Sequence, residues 1–434
     1  MDGIRFMFTG VVQNFMNFNA VGVIIVAMVG VGVAEEKGLV KALIRKLVVV
    51  APPRLLSYIM VFVGILSSVA ADAGYLVLIP LAAAAFISVG RHPLAGLAAA
   101  FAAVAAAFLV NILIVPVDGI LTEITNDAIA LVNPAISIDL AANLWFSIAS
   151  VIMLTIVIAL ITERIVEPRL GPYTGDYVLG DESTLSADEY RGLRFALHGL
   201  LGVIAFILLL TLPPGAPLRD PETGAIIGNT PFMSSLIVTI ALLFLVCGIC
   251  YGLGAGTMKS VNDVVTAMTK AIAGLSGLIL LLLVISQFIA YFNYSNMATL
   301  AAISLADLLT EANLGAIWLL LGFVFVVFLL DFVITGAIPK WAIFAPVFIP
   351  LLMRLNVEPE AVLAAYRVGD SPINAITPLN AYFAMIVTFA QKYQKDSGVG
   401  TVIALMLPYI VVLCVIWTLL LAAWYLLGLP WGLG

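Results

Sequence analysis

The sequence YRVGDSPINA, residues 366–375, places charged, polar and helix-breaking residues inside an otherwise apolar chain. Arg367 and Asp370 flank Gly369 within it, and Pro372 follows. Ionisable side chains are costly in the core of a bilayer, and non-helical backbone persists there only where it is buried in protein or lines a watery cavity. The stretch therefore predicts a helix that is broken at its glycine and prolines, and whose freed groups form a binding site.

The composition around this stretch is that of a membrane protein. Of the 434 residues, 63% are hydrophobic and 10% are charged, and the mean hydropathy is +1.18. Soluble domains are about a quarter charged. Several windows supply the roughly 20 apolar residues that a span needs. We predict an all-α polytopic membrane protein, without a nucleic-acid partner because no basic patch occurs.

The positive residues give a topology when they are placed on the cytoplasmic side. The basic clusters lie at 37–54, 91, 164–194, 259–270 and 392–395. Residues 1–165 then form a first repeat, with a span, a hairpin (53–90), a broken helix (93–126) and a second span. Residues 166–230 form connecting loops and a span. Residues 231–434 form a second repeat, with spans, a hairpin (316–353), a broken helix (359–392) and a final span.

The two halves repeat one pattern. NILIVPVD (111–118) and NAITPLN (374–380) both run from Asn through apolar residues to Pro, one further residue, and Asp or Asn. The topology gives the two units opposite orientations. Inverted repeats of this kind occur in secondary transporters, whose sites lie on broken helices at mid-membrane. We predict two opposed re-entrant hairpins and two broken transmembrane helices, with a site where they meet.

Five stretches carry a resemblance to a known family. They are SSVAADAGYLVLIPLAA (67–83), GRHPLAGLAAAF (90–101), QFIAYFNYSN (287–296), GAIPKWAIFAPVFIPLLM (336–353) and AYRVGDSPINAITPLNAYF (365–383). The sequence resembles the p-aminobenzoyl-glutamate transporter (AbgT) family of the ion-transporter superfamily over nearly its whole length.

The resemblance implies a homodimer in the inner (cytoplasmic) membrane, with two opposed hairpins in each protomer. It also implies uptake of p-aminobenzoyl-glutamate and export of p-aminobenzoate and of sulfonamide antimetabolites. The family usually has a leading transmembrane helix before the stretch that opens this chain, and we expect that helix to be truncated or unobserved here. Functional Arg and Asp residues of the family fall on Arg367 and Asp370.

Arg367 and Asp370 share a helix face because they are three residues apart. They could neutralise each other as a buried ion pair. Alternatively, Arg367 binds a substrate carboxylate through two parallel hydrogen bonds, and Asp370 holds the coupling proton or cation. Asp118 has the position of Asn380 in the other repeat, and either contacts substrate or is solvated at the outer surface.

Oxygen-bearing residues cluster at both breaks and at the first hairpin tip. Sodium prefers oxygen ligands, including carbonyls of unwound helix, whereas satisfaction of neighbouring backbone groups is the alternative. The possible Na⁺ ligands are Ser67, Ser68, Asp72, Asn111, Ser371, Asn374 and Thr377. Asp72 could equally cap a half-helix. The sequence leaves sodium and proton coupling both open, and no other cofactor is expected.

The remaining candidates act through shape or stacking. Trp341 is either an interfacial anchor or a wall against which an aminobenzoyl ring stacks. Lys340 is expected to face water, and Asp331 to pair within the bundle. The other candidate substrate-site residues are Asn374, Asn380, Pro359 and Pro378, of which the two prolines fix the entry and exit of the broken helix.

No P-loop signature (G-x-x-x-x-G-K-[ST]) is present, so we expect transport driven by an ion gradient. A dicarboxylate transporter or sodium/proton exchanger of the same superfamily is the main alternative. An intramembrane aspartyl protease is disfavoured because Arg367 would keep Asp370 ionised. A channel is disfavoured because no helix carries a repeated polar face.

Overall fold

The protein is a bundle of α-helices in the computed structural model. The structure describes residues 2–49, 51–69, 74–175, 185–227, 230–297, 300, 315–332, 334 and 336–433, and no strand occurs within these ranges. Six helices among them are long and apolar enough to cross a membrane, or up to eight spans if each of two bent helix pairs is counted as one. The predicted all-α polytopic class is confirmed.

The first half of the chain contains α1 (Asp2–Thr9), α2 (Val11–Met16), α3 (Asn19–Glu36), α4 (Leu39–Val49), α5 (Leu56–Leu66), α6 (Ile79–Ser88), α7 (Pro93–Phe101), α8 (Pro116–Ile129), α9 (Leu144–Ile161) and α10 (Glu167–Leu170). Short 3₁₀ turns at Pro53–Leu55 and Ser67–Val69 precede and follow α5. Wider π turns occur at Gly74–Leu78, Ala102–Ala106 and Thr162–Val166.

The second half contains α11 (Ala187–Thr211), α12 (Pro231–Ser234), α13 (Leu236–Ala255), α14 (Val261–Gly274), α15 (Ser276–Tyr294), α16 (Ala316–Leu330), α17 (Ala337–Arg354), α18 (Pro359–Asp370), α19 (Phe383–Gln391) and α20 (Val399–Leu426). A 3₁₀ turn covers Pro372–Ala375. Helices α14 and α15 are bent against each other by 47°, so α14 does not simply continue the span.

Proline starts the half-helices that surround the site. Pro93, Pro116 and Pro359 are each the first residue of α7, α8 and α18. A proline costs nothing at this position because the first backbone N–H groups of a helix have no intrahelical partner. The sequence thereby fixes where three of the four half-helices begin.

The backbone leaves the helical path in both predicted breaks. Between α7 and α8 the chain passes through a π turn and then irregular backbone to Val115, and between α18 and α19 it passes through the 3₁₀ turn. Gly369 lies inside α18, so the prediction that it breaks the helix is wrong. A Cβ on Gly369 would lie 2.7 Å from the Cβ of Val327, which means that this glycine allows α18 to approach α16 closely.

The two broken helices run antiparallel to each other. Helix α7 contacts α19, and α8 contacts α18, so the first half of one broken helix lies beside the second half of the other. The π turn after α7 packs on the 3₁₀ turn after α18. Both breaks therefore meet at one place, as an inverted repeat requires.

A hairpin supports each broken helix. The first hairpin consists of α5 and α6, and α6 packs along α7. The second hairpin consists of α16 and α17; α16 packs along α18, whereas α17 crosses to α8 of the other broken helix. The second hairpin consequently contacts both halves of the protein next to the breaks.

Candidate functional site

Arg367 is the centre of the site. Its side chain is 3% exposed, and three groups from other elements surround it. Nη1 donates to the Asp118 carboxylate at 2.6 Å and to the Leu109 carbonyl at 2.7 Å, while Nε donates to the Asn143 amide oxygen at 3.2 Å. Asn143 lies directly before the spanning helix α9. The guanidinium of Arg367 therefore connects both broken helices to that span.

Asp118 therefore has two tasks. Its Oδ2 accepts from the backbone N–H of Val115 at 2.8 Å, which caps the start of α8, and its Oδ1 pairs with Arg367. A carboxylate near a helix N-terminus is also favoured by the helix dipole. Arg367 pairs with Asp118 and Asp370 pairs with Lys340, so the interpretation of Arg367 and Asp370 as a self-neutralising pair is wrong.

The first break is held by a small polar network. The amide nitrogen of Asn111 donates to Ser68 Oγ at 3.0 Å and to the Leu66 carbonyl at 3.3 Å. The hydroxyl of Ser147 accepts from the Asn111 backbone N–H and donates to its carbonyl, both at 2.8 Å. These bonds satisfy unwound backbone and tie the first hairpin and α9 to the break.

The second break carries a buried group of charges. The Lys340 ammonium lies 2.7 Å from Asp370 Oδ1 and also contacts the carboxylate of Asp331. All three side chains are fully buried. The Tyr366 hydroxyl lies 2.8 Å from the same Asp370 oxygen and 2.5 Å from the Ala337 carbonyl. This places α16, α17 and α18 around one ionic cluster.

The charges of the five acidic and basic side chains that form ion pairs at the two breaks do not cancel. Two cations, Arg367 and Lys340, face three carboxylates, those of Asp118, Asp331 and Asp370. In their ordinary ionised forms the five groups carry one net negative charge. An uncompensated charge in a buried site favours binding of a proton or cation.

Trp341 connects the second hairpin to the first broken helix. Its indole N–H donates to Thr125 Oγ1 at 2.9 Å and lies 3.2 Å from the Leu121 carbonyl. Its ring stacks on Tyr366 with centroids 4.5 Å apart. The residue is fully buried, so the alternative of an interfacial anchor is wrong.

Two cavities adjoin the site. A cavity of about 10 Å³ touches Asn111, Asp118, Asn143 and Arg367, which is room for about one water molecule. A cavity of about 1380 Å³, which we call the vestibule, has Leu140 in common with it. The space beside Arg367 is therefore closed to anything larger than water in this conformation, and Leu140 lines both this small cavity and the vestibule.

The vestibule is acidic and partly aromatic. Its walls include the carboxylates of Glu123, Asp139, Glu358 and Glu360 and the indole of Trp431, which donates to Glu358 at 3.0 Å. Burial raises the pKa of Asp139, although the backbone N–H of Ala141 donates to it and opposes the shift. The lining thus favours cations and disfavours anions.

A family model and a relative both match this chain over its whole length. The model of the "AbgT putative transporter family" matches residues 1–434. The p-aminobenzoyl-glutamate transport protein of Escherichia coli (strain K12) is 35% identical over 436 residues, which is 100% of this chain and 85% of that protein. This chain belongs to the AbgT family.

Two solved transporters have the same architecture as this AbgT-family chain. The YdaH transporter of Alcanivorax borkumensis superposes with a TM-score of 0.95 at 41% identity, covering 100% of this chain and 90% of that one. MtrF of Neisseria gonorrhoeae, described within a class of antimetabolite efflux pumps, superposes with a TM-score of 0.93 at 38% identity, covering 100% and 87%. The chain is a multi-pass membrane transporter, and the expectation that it is not an enzyme is confirmed.

Most of the sequence-predicted residues of this AbgT-family transporter have partners at the two breaks. Ser371 accepts from the Leu109 backbone N–H at 3.4 Å, across the two breaks. The Asn374 amide donates to the Asp370 carbonyl at 3.0 Å, and that of Asn380 to the Asn374 carbonyl at 2.9 Å. Thr377 Oγ1 accepts from the Leu379 backbone N–H at 3.4 Å. These side chains largely satisfy neighbouring backbone groups, Asn374 and Asn380 through their amide nitrogens and Ser371 and Thr377 through their hydroxyls.

Four predicted residues have other positions. Ser67 donates to the Gly64 carbonyl at 2.6 Å and ends α5. Pro359 starts α18, eight residues before Arg367, which corresponds to about 12 Å of helix. Pro378 is exposed. Asp72 lies outside the described residues.

Sequence reasoning missed several partners of the site. Lys340 is buried, so the expectation that it faces water is wrong, and its partner Asp331 does pair within the bundle as expected. Asn143, Thr125 and Tyr366 were not singled out at all. Asn143 could have been noticed as an amide just before a span, whereas Thr125 and Tyr366 are typical of ordinary helices.

Proposed function

We propose that this AbgT-family transporter moves small aromatic carboxylates, represented by p-aminobenzoyl-glutamate and p-aminobenzoate, at the expense of an ion gradient. The observation that carries the proposal is the buried guanidinium of Arg367 where the two breaks meet. A guanidinium presents paired donors that match a carboxylate. The name of the E. coli relative supports the substrate class.

In the proposed cycle, the substrate carboxylate replaces that of Asp118 as the partner of Arg367. Asp118 keeps its bond to the Val115 backbone, so it has a second interaction when the guanidinium is engaged elsewhere. Asp370 is proposed to hold the coupling proton or cation, since it belongs to the cluster with excess negative charge. Substrate access requires opening around Leu140, because the cavity beside Arg367 is otherwise too small.

Export is the proposed direction for p-aminobenzoate and sulfonamide antimetabolites. The topology that we predict from the basic clusters puts the vestibule on the outer face. Its carboxylates would repel an anionic substrate, which hinders entry from that side and assists release. The description of MtrF among antimetabolite efflux pumps supports this direction.

The proposal includes a homodimer in the inner (cytoplasmic) membrane. The six helices long enough to span a bilayer support the membrane location. Membership of the AbgT family supports both the homodimer and the inner membrane, because the resemblance to that family implies them.

A second candidate is a dicarboxylate transporter or sodium/proton exchanger of the same superfamily. The buried cluster of Asp331, Lys340 and Asp370 favours it, because carboxylates with excess negative charge can exchange small cations without an organic substrate. Such an exchanger would move Na⁺ or H⁺ with no aromatic carboxylate present.

Flux in proteoliposomes tests the proposal. Labelled p-aminobenzoate and p-aminobenzoyl-glutamate are supplied while a pH gradient or a sodium gradient is imposed separately. We expect saturable flux that one of the gradients drives, and flux of neither ion without substrate. Cation exchange in the absence of both compounds would favour the exchanger, and no gradient-driven flux of either compound would overturn the proposed substrate class.

A further inference from the structure

The Lys340 ammonium lies in a fully buried position beside the second break. It contacts two carboxylates that come from different elements. Asp331 follows directly after α16, Asp370 ends α18, and Lys340 itself lies in the first turn of α17. All three side chains are buried without measurable exposure, so the cluster has no contact with bulk solvent.

The ammonium contacts two carboxylates, and the Asp370 carboxylate adjoins further oxygens of the kind that a sodium ion prefers. Two carboxylates, the Tyr366 hydroxyl and the Ala337 carbonyl lie together, with the hydroxyl bridging the carbonyl and Asp370 at 2.5 and 2.8 Å. Hard cations bind such sets of carboxylate and carbonyl oxygens. The two carboxylates, however, already have the Lys340 ammonium as their positive partner.

Among the described residues, neither carboxylate oxygen of Asp331 accepts a hydrogen bond of ordinary geometry. Within the part of the chain that the structure describes, its ion-pair partner is the Lys340 ammonium. A buried carboxylate with so little hydrogen bonding depends on the neighbouring positive charge. Asp331 is therefore matched to Lys340 and would be left uncompensated without it.

We infer that Lys340 is a tethered cation that fills this position and excludes sodium from the second break. A second cation beside the ammonium would meet a like charge at close range, where repulsion is strong because the interior has a low effective dielectric constant. Lys340 and Asp331 belong to one hairpin, so the positive charge stays with the protein.

The inference rests on the proposed function and deepens it. It removes the second break from the possible sodium sites, so that of the two coupling ions considered above Asp370 would hold the proton. It makes Lys340 a residue that determines ion specificity. The oxygens of the first break, around Asn111 and Ser68, are not affected by it.

The test compares three forms of the full-length protein in detergent by thermal unfolding. Native protein, Lys340→Gln and the double variant Asp331→Asn/Lys340→Gln are unfolded in sodium chloride and in choline chloride of equal ionic strength. Lys340→Gln leaves two buried carboxylates without a cation. The double variant retains only one carboxylate and has the same formal charge as the native cluster.

We expect sodium to raise the unfolding midpoint of Lys340→Gln by about 2–4 °C more than that of native protein. The double variant should respond as native protein does. Any sodium binding at the first break is common to the three forms and cancels in the comparison. The measurement involves no transport, so its outcome is separate from that of the flux experiment.

An equal response of native protein and Lys340→Gln to sodium would overturn the inference. A response of the double variant as large as that of Lys340→Gln would do the same, because the effect would then not depend on the pair of carboxylates. Failure of Lys340→Gln to fold in sodium chloride would also contradict it, since sodium is expected to replace the missing charge.

Discussion

Arg367 shows at the scale of one residue why the site needs both halves of the chain. Its partners Leu109, Asp118 and Asn143 are more than 200 residues away in sequence. Sequence patterns identified Arg367 and Asp118 as candidates because both are ionisable residues next to a proline-containing break. They could not identify the pairing, because spacing along one helix favours Asp370 and only packing brings Asp118 within reach.

The pair of Arg367 and Asp118 should be strongly coupled in stability. We expect Arg367→Gln and Asp118→Asn each to destabilise the fold by about 3–5 kcal/mol, because each leaves a buried charge without its partner. The double variant should lose less than the sum of the two. Unfolding in detergent measures the coupling, and Arg5→Gln, which alters an exposed pair, should change stability by less than about 0.5 kcal/mol. Additive losses would contradict this account of the pair.

Lys340 shows the limit of the sequence at the same scale. A lysine near a hairpin tip is ordinarily solvated, which is why we expected it to face water. The structure buries it between two carboxylates instead. That outcome depends on three helices meeting, and no pattern within the hairpin reveals it.

Trp341 should stabilise the closed arrangement through its indole N–H. We expect Trp341→Phe to cost about 1–3 kcal/mol, because Thr125 and Leu121 lose a buried donor. Thr125→Val should cost less, since the indole keeps the Leu121 carbonyl at 3.2 Å. Thermal unfolding of the two variants measures this order, and a larger loss for Thr125→Val would show that the hydroxyl has a different role.

At the scale of elements, the repeated pattern of Asn, apolar residues and Pro predicted both breaks correctly. Proline fixes the start of α8 and disrupts the chain after α18, so its effect is local and can be read from sequence. Gly369 was misassigned because glycine serves two purposes. It permits unusual backbone, and it also permits close approach of helices, and only the packing of α18 on α16 distinguishes them.

The contact of α18 with α16 predicts a stability effect at Gly369. We expect Gly369→Ala to destabilise the fold by about 1–3 kcal/mol, because the new methyl group would overlap Val327. Adding Val327→Ala should recover part of the loss. Gly322→Ala is the control, since a Cβ at Gly322 on the same hairpin arm meets nothing within 4 Å, and it should be neutral or stabilising by up to about 1 kcal/mol. Equal losses at both glycines, measured by thermal unfolding, would rule out close packing as the cause.

At the scale of the whole molecule, the antiparallel arrangement of the broken helices was predictable because basic residues mark one face and the two halves share a pattern. The conformation that the protein adopts was not predictable from the sequence. The closed space beside Arg367 and the wide vestibule that shares Leu140 with it depend on how the broken helices pack against α9 and the segment before it. Sequence gives no measure of such cavities.

The acidic vestibule should weaken binding of anions from its side. We expect Asp139→Asn to lower the half-saturating concentration of p-aminobenzoate, supplied from the vestibule side, by up to about fivefold, because removing a like charge nearby is worth up to about 1 kcal/mol. Acidification should act in the same direction in the native protein, since burial raises the pKa of Asp139 and neutralises it sooner. Uptake into oriented vesicles measures both.

Glu222→Gln is the control for this prediction, because Glu222 is an exposed carboxylate outside the vestibule. It should leave the half-saturating concentration unchanged. A higher half-saturating concentration for Asp139→Asn would contradict repulsion by the vestibule.

The most direct measurement for the whole account is p-aminobenzoate flux through the double variant Arg367→Gln/Asp118→Asn in proteoliposomes. The two substitutions remove both charges of the pair together, which keeps the formal charge of the site, and thermal unfolding shows separately how much of the protein is folded. If the guanidinium at the meeting breaks binds the substrate carboxylate, the folded variant should show no saturable, gradient-driven flux. Flux at the native rate would contradict the account.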